Sequence, residues 1–490
     1  MTPVDPAFDR RAALRLLAGA GASALLACAP AGSAAATPSR LRSDGSDEGP
    51  ALQAEIDRLA QAGGGELLLR SGGTTLASVA PVVRDHVTLN LNGGTLLLAL
   101  SETNATGVRL RSGATLRNGT VRVRSTGRPS LQAAAHAPVV VGPLYGEGGT
   151  PGRPSPDEGV SGWAIRNLVL ISDKNAEVGD GSRIGSPAIQ IMGGAHHGLI
   201  ENIDVPDSPY MVGGVHLDWG FVGPISSHTV PEDAVAFRAG RAFTTHPHDI
   251  TIRNIRIGRL TRPYGPAGPA AGPFGVRLSG VYNVTISDVE IGSVTGVAFC
   301  HTAGDLGFEF APAAVKPLAC RGISFTRGLV RAASTGYLIW TDSYADNVGR
   351  AVEQGYRPML PPIHQTDILF ERIEGRGGSL FGIRVDRQHG GRIVDCTARG
   401  YRRGFYVDEQ VDGLSLVRPV ALDNVEDGIS VEHPSRPPRN IMIQNPVARG
   451  NGRSGVLVGR SDNVQVEGGG RLVRVTRDAR NAQAAGAARD

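Results

Sequence analysis

Between Gly107 and Gly459 the chain returns ten times to one five-residue phrase: a small residue, nearly always Gly, then apolar, variable, apolar, variable. The copies begin at Gly107, Ala188, Gly214, Gly275, Gly296, Gly336, Gly382, Gly404, Gly428 and Gly455. Alternation at period two predicts a short strand with one face buried and the other turned outward. The closest copies lie 21 to 27 residues apart, which suits one winding of a solenoid built from short strands and tight bends. A second phrase precedes most copies, as in Ile250-Thr251-Ile252-Arg253-Asn254-Ile255, Val284-Thr285-Ile286-Ser287-Asp288-Val289 and Ile441-Met442-Ile443-Gln444-Asn445-Pro446; Asn202 and Asp395 occupy the same point. Asn and Asp tolerate tight turns and bond the local backbone, so this column predicts where every coil bends. Each coil then carries at least two strands, and no coil buries its apolar face without a neighbour.

Ahead of the repeats, Leu52-Gln53-Ala54-Glu55-Ile56-Asp57-Arg58-Leu59-Ala60 has helical periodicity and is followed by Gly63-Gly64-Gly65-Glu66-Leu67-Leu68-Leu69. Together with the coils, this segment resembles the right-handed parallel β-helix of the pectate-lyase-like (pectin lyase fold) superfamily, over residues 48–470. The resemblance implies an all-β solenoid with an N-terminal capping helix. It specifies architecture and not chemistry, because the superfamily includes lyases, glycoside hydrolases, epimerases, esterases and tailspikes.

The first 28 residues resemble a twin-arginine export signal: Asp9-Arg10-Arg11-Ala12-Ala13-Leu14, then an Ala/Gly/Leu stretch to Leu26 too short for a membrane span. Leu25-Leu26-Ala27-Cys28 resembles a lipobox, which implies a lipid anchor on Cys28; ordinary cleavage near Ala34–Ala36 is the alternative. Residues 29–47 read as a flexible tether and 471–490 as a polar tail. The expected location is outside the cytoplasm: periplasmic, membrane-anchored or extracellular. Of the remaining cysteines, Cys300 and Cys320 bracket an insertion and could be bridged, while Cys396 falls on a core position.

Lys and Arg total 50 against 46 acidic residues, a small excess that is compatible with an anionic glycan but usually means a solvated surface, and no basic-aromatic motif argues for nucleic acid. There is no phosphate loop, zinc spacing or dinucleotide fingerprint.

Stacking turns the third and fifth positions of the phrase into two outward columns, with neighbours about 4.8 Å apart. The fifth reads Arg111, Met192, Asp218, Ser279, Cys300, Trp340, Asp386, Asp408, Glu432, Gly459; the third includes His216, Arg277, Arg384 and Tyr406. Three carboxylates on consecutive coils disfavour joint ionisation, a property of catalytic acids. The candidate catalytic residues are therefore Asp386, Asp408, Glu432, Arg384 and Tyr406, with Trp340, Asp342, His389, Arg387, His216, Asp218, Trp219 and Arg277 as candidate substrate contacts. A blander alternative is that the three acids form a solvated or Ca2+-binding ladder. Insertions at about 131–185, 221–246, 302–318 and 343–363 are expected to rise as long loops on one face and wall a cleft.

Three functions follow. Glycoside hydrolysis of an extended polysaccharide needs two carboxyl groups and no cofactor; adjacent coils offer Asp386 with Asp408, and Asp386 with Glu432, two coils apart, leaves space for a water and favours inversion. The Asn-Thr-Asp, Asp-Asp and Gly-His-Gly run of the polygalacturonase branch is absent. Elimination or epimerisation on a uronic-acid polymer would use Arg384, Tyr406 or His389 as base, with the acids holding Ca2+. A glycan-binding solenoid without turnover is the third. The oligomeric state is not legible.

Overall fold

The computed structural model describes residues 37–38, 41, 45–100, 107–125, 137–142, 159–174, 187–218, 247–261, 273–302, 320–331, 337–342, 365–468, 472–484 and 488–489. They form a right-handed parallel β-helix opened by one helix. That helix, α1 (Gly49–Gln61), starts with Pro in its first turn and buries Leu52, Ile56 and Leu59, an i, i+4, i+7 stripe, over the open end of the first coils. It stops where Gly63 and Gly64 take positive φ; a Cβ on Gly64 would sit 2.5 Å from the His86 carbonyl oxygen.

Among the described residues the strands form one sheet of 21 and one of 14, each strand paired in parallel with strands of adjacent coils. The smaller sheet carries the five-residue phrase. Its relevant members are β1 (Val297–Thr302), β2 (Tyr337–Asp342), β3 (Phe381–Val385), β4 (Arg403–Val407), β5 (Ile429–Val431) and β6 (Val456–Val458). Three further strands of this sheet, at Val82–Val83, Val139–Val141 and Val473–Val475, lack the leading Gly and escape the pattern.

At Gly404 and Gly428 the leading Gly is a packing requirement. It faces into the coil, where a Cβ on Gly404 would stand 2.5 Å from the Gly428 carbonyl oxygen, and one on Gly428 would stand 2.6 Å from that of Gly455. The residue before it consequently turns outward, which places Phe381 and Arg403 on the surface bearing the columns.

The register corrects two copies. Phe299 pairs with Val276 and Ile339, and Cys300 with Arg277 and Trp340, so these phrases begin at Ala298 and Leu338 and not at Gly296 and Gly336. Trp340 in turn pairs with Arg384, which moves Cys300 and Trp340 from the fifth column into the third. Thr302 pairs with Asp342, so continuing the register puts Asp342 one coil below Asp386 in the column of acids. The misreading arises because His301 and Thr341 fill positions that are apolar in the other copies, whereas Gly296 and Gly336 offer an equally good start two residues early.

The bends form as expected: Asn202, Asn254, Asp288, Asp395 and Asn445 all have φ between 49° and 57°. Their amides stack, Asn202 donating to Asn167 at 2.8 Å and Asn254 to Asn202 at 2.6 Å. Arginines on the outer face of the larger sheet pair with acids one coil away, as in Arg122–Asp173 at 2.7 Å and Arg327–Asp288 at 2.6 Å. These exposed pairs contribute under about 1 kcal/mol each, and they account for much of the arginine content without invoking a ligand. Cys320 and Cys396 are buried, and the side chain of Cys300, the other half of the possible bridge, lies outside the described residues. Strand pairing continues past residue 470, through Val473–Val475 and Gln483–Ala484. No helix among the described residues is long and apolar enough to cross a membrane.

Candidate active site

Asp386 follows the last residue of β3, and Asp408 follows that of β4 one coil above; both carboxyl groups turn toward Arg384. Arg384 Nε lies 3.1 Å from Asp386 Oδ2 and 3.1 Å from Asp408 Oδ2, and its Nη2 lies 2.9 Å from Asp408 Oδ2. The two Oδ2 atoms are thus no further apart than twice the first distance. The indole N–H of Trp340 donates to Asp386 Oδ2 at 3.2 Å. Columns expected to be exposed are in fact enclosed: Asp386 is 5 % and Asp408 3 % accessible, and Trp340 only 8 %. Trp340 is therefore a hydrogen-bond donor set against the Arg384 guanidinium, 6.0 Å from its ring, and not an open platform for a sugar.

Burial decides the protonation of the pair. Desolvation pushes the Asp386 carboxyl up to about 7; Arg384 opposes this and the Asp408 charge adds to it. One oxygen of each acid, Oδ1, is buried with no hydrogen-bond partner among the described residues. Buried polar atoms are nearly always satisfied, so these two oxygens, on adjacent coils, call for partners from outside the described residues. Burial, and next the Asp408 carboxylate, raise the Tyr406 phenol, which stays protonated and is unsuited to act as a base.

Glu432, the third acid, belongs to a second group. Arg403 Nη1 contacts Glu432 Oε1 at 3.0 Å and Arg403 Nε contacts Glu426 Oε2 at 3.0 Å, while the guanidinium lies 4.8 Å above the Tyr406 ring. Glu432 fits there because the next coil carries Gly459, whose missing Cβ leaves room for the carboxylate. Asp386, Asp408 and Glu432 thus each face an arginine. Such a donor set does not fit Ca2+, which would have to displace Arg384 and Arg403, and no group of three or more His, Cys, Asp or Glu among the described residues is arranged to hold a metal.

The other expected contacts divide. Arg387, buried with φ 45°, pairs with Glu409 at 2.9 Å. His389 is exposed and pairs in the larger sheet with Thr366, outside the cluster. His216 is buried four coils below Arg384, roughly 19 Å away at the usual strand spacing. Its Nδ1 meets Gln190 Oε1 at 3.1 Å, and burial followed by the Arg277 charge holds its pKa well below the ordinary range. The side chains of Asp218 and Asp342, Trp219 as a whole and most of the four insertions lie outside the described residues. Phe381, Arg403 and Thr341 were not legible as site residues; their signal is the inward glycine that turns the preceding residue out, and a hydroxyl in an apolar column. A cavity of about 350 Å³ lined by Ala60, Gly63, Arg84, Asp85, His86 and Arg111 lies near α1, far from the acid pair. It has a single carboxylate and no enclosed pair of titratable groups, so the acid cluster remains the better candidate.

No family model matches the sequence, and no curated protein sequence does. Among solved structures, the chain is similar to the A-module of an Azotobacter vinelandii mannuronan C-5 epimerase, with 13% identity over 91% of this chain and 96% of that one and a TM-score of 0.43. It is similar to a tailspike protein of E. coli bacteriophage HK620 in complex with a hexasaccharide, with 11% identity over 89% and 76% and a TM-score of 0.49. The exopolygalacturonase of Thermotoga maritima shows 10% identity over 91% and 87%, with a TM-score of 0.38. Likeness this distant bears on the fold alone.

Proposed function

We propose that the protein is an exported carbohydrate-active enzyme that hydrolyses glycosidic bonds of a polysaccharide, with Asp386 as general acid and Asp408 as its partner carboxylate. The observation that carries this reading is the pair itself: two enclosed acids on one arginine, one of them raised to about 7, each with an unpartnered oxygen. An enclosed acid that keeps its proton toward neutral pH, set beside a second carboxyl group, is what acid-assisted glycoside cleavage requires.

The spacing favours retention over the inversion first expected for Asp386 with Glu432. Retaining pairs stand about 5–5.5 Å apart and inverting pairs about 6.5–9.5 Å, and the shared Arg384 keeps the Asp386 and Asp408 Oδ2 atoms near the shorter class. In the first step Asp386 transfers its proton to the glycosidic oxygen as the C1–O bond breaks, and Asp408 Oδ1 bonds to C1. In the second, water attacks C1, Asp386 takes the proton from that water, and Asp408 is released. Arg384 holds Asp408 in place and balances its charge; Arg403 and Glu432 shape the neighbouring wall.

Among the described residues the elimination or epimerisation reading finds no base at the acid pair, since Tyr406 is held protonated, Arg384 is engaged by two acids and His389 lies in the larger sheet. Lys316 lies outside the described residues, and Lys174 lies in the larger sheet. The test is incubation of the purified protein with a panel of neutral and uronic-acid glycans, following reducing ends and ultraviolet absorbance together. New reducing ends without absorbance, lost in Asp386→Asn and Asp408→Asn, support hydrolysis; an absorbing unsaturated product contradicts it. A lipid anchor at Cys28 and residence in the periplasm or outside the cell belong to the same proposal, tested by fractionation of cells carrying the wild type and Cys28→Ala.

A further inference from the structure

The charges around the pair limit which sugar it can hold. Arg384 is shared by Asp386 and Asp408. Arg387 and Arg436 both pair with Glu409, Arg403 pairs with Glu426 and Glu432, and Arg453 pairs with Glu426 and Asp427 at 2.6 and 2.7 Å. Every one of these arginines is already matched by a carboxylate. With Asp386 protonated, the trio of Asp386, Asp408 and Arg384 carries no net charge. A sugar carboxylate placed there would be a new anion in an enclosed site beside Asp408, and among the described residues each arginine around the pair is already engaged by a carboxylate.

The hydrogen-bond inventory points the same way. Tyr406 bonds to the Asp408 carboxyl, but Asp408 Oδ1 has no donor of its own among the described residues, and a carboxylate offers acceptors only. A sugar hydroxyl or an acetamido N–H supplies that donor, while a ring or glycosidic oxygen accepts from protonated Asp386. We infer that the sugar unit seated between Asp386 and Asp408 is neutral and turns a hydroxyl or amide donor to Asp408, so that the site selects a neutral glycan over a uronic-acid polymer. The inference rests on the site proposed above and adds its substrate class.

Binding tests it separately from turnover. The full chain carrying Asp386→Asn, whose amide stands in for the protonated acid, is titrated by calorimetry with neutral hexasaccharides of glucose, xylose, mannose, galactose and N-acetylglucosamine. It is titrated in parallel with oligogalacturonate, oligomannuronate and their carboxyl-reduced forms. The expected result is at least tenfold tighter binding of a neutral oligosaccharide than of any uronate, narrowing below threefold when Asp408→Asn is added. Equal or tighter binding of a uronate overturns the inference, as does binding of no member of the panel or a preference unchanged by Asp408→Asn. Wild-type turnover of the preferred glycan then judges the hydrolase reading by itself: a neutral ligand bound but not cleaved keeps the substrate class and removes the reaction.

Discussion

The Thr341 hydroxyl oxygen accepts the Asp386 backbone N–H at 2.8 Å and lies 3.2 Å from the Asp386 carbonyl oxygen. On the next two coils the matching N–H groups of Asp408 and Glu432 donate to the carbonyls of Val385 and Val407. A side chain has replaced the backbone rung at one coil of the stack, the coil on which the raised acid sits. Thr341 is fully buried in a column otherwise filled by residues such as Leu278, Val385, Val407, Val431 and Val458. Thr341→Val, nearly isosteric, leaves the Asp386 N–H without that acceptor and is expected to cost about 1–3 kcal/mol in urea unfolding. Thr341→Ser should restore most of it. Equal stability of all three proteins would remove Thr341 as the residue that positions Asp386.

Asp386 also sets a pH dependence of stability. Its carboxyl is raised in the folded state, so the stability tied to its protonated form is complete below the unfolded value near 4 and is lost as pH rises through about 7. Calorimetric melting between pH 5 and 8 should therefore fall more steeply for the wild type than for Asp386→Asn, and the variant should be the more stable of the two at pH 8. Parallel curves would contradict the assignment.

Arg384 is expected to be the costliest single loss. Arg384→Met leaves Asp386 and Asp408 facing each other in an enclosed site, and removing one partner of a buried ion pair costs about 3–5 kcal/mol. Adding Asp408→Asn should recover a large part of that, giving a strongly non-additive double-mutant cycle in denaturant unfolding. Additive losses would mean that the arginine supports something other than the pair.

The glycine column gives a prediction independent of chemistry. Gly404→Ala drives a methyl against the Gly428 carbonyl oxygen and should cost at least about 1–3 kcal/mol, whereas Ala298→Gly, at the equivalent position two coils below Gly382, should cost less. Comparison of their urea midpoints checks it.

How much of this was legible follows from where the pattern is clean. Asp386, Asp408 and Glu432 lie on coils of 22 and 24 residues without insertions, and period two alone brings them into one column. Cys300 and Trp340 were assigned to the wrong column because His301 and Thr341 break the apolar alternation and a decoy glycine stands two residues upstream. The burial of the acids was not legible at all, since it depends on which side chains of other coils close over them. Phe381 and Arg403 were missed because strict alternation turns them inward; the glycine that follows each one, itself facing in, reverses that.

The most direct test of the central claim is the titration of Asp386 itself, followed by carboxyl carbon NMR on the full chain with 13C-labelled aspartate and assigned by comparison with Asp386→Asn. The account predicts a midpoint near 7, moving when Asp408 is changed to Asn. A midpoint in the ordinary range near 4 would mean that Asp386 is ionised at neutral pH and holds no proton to give.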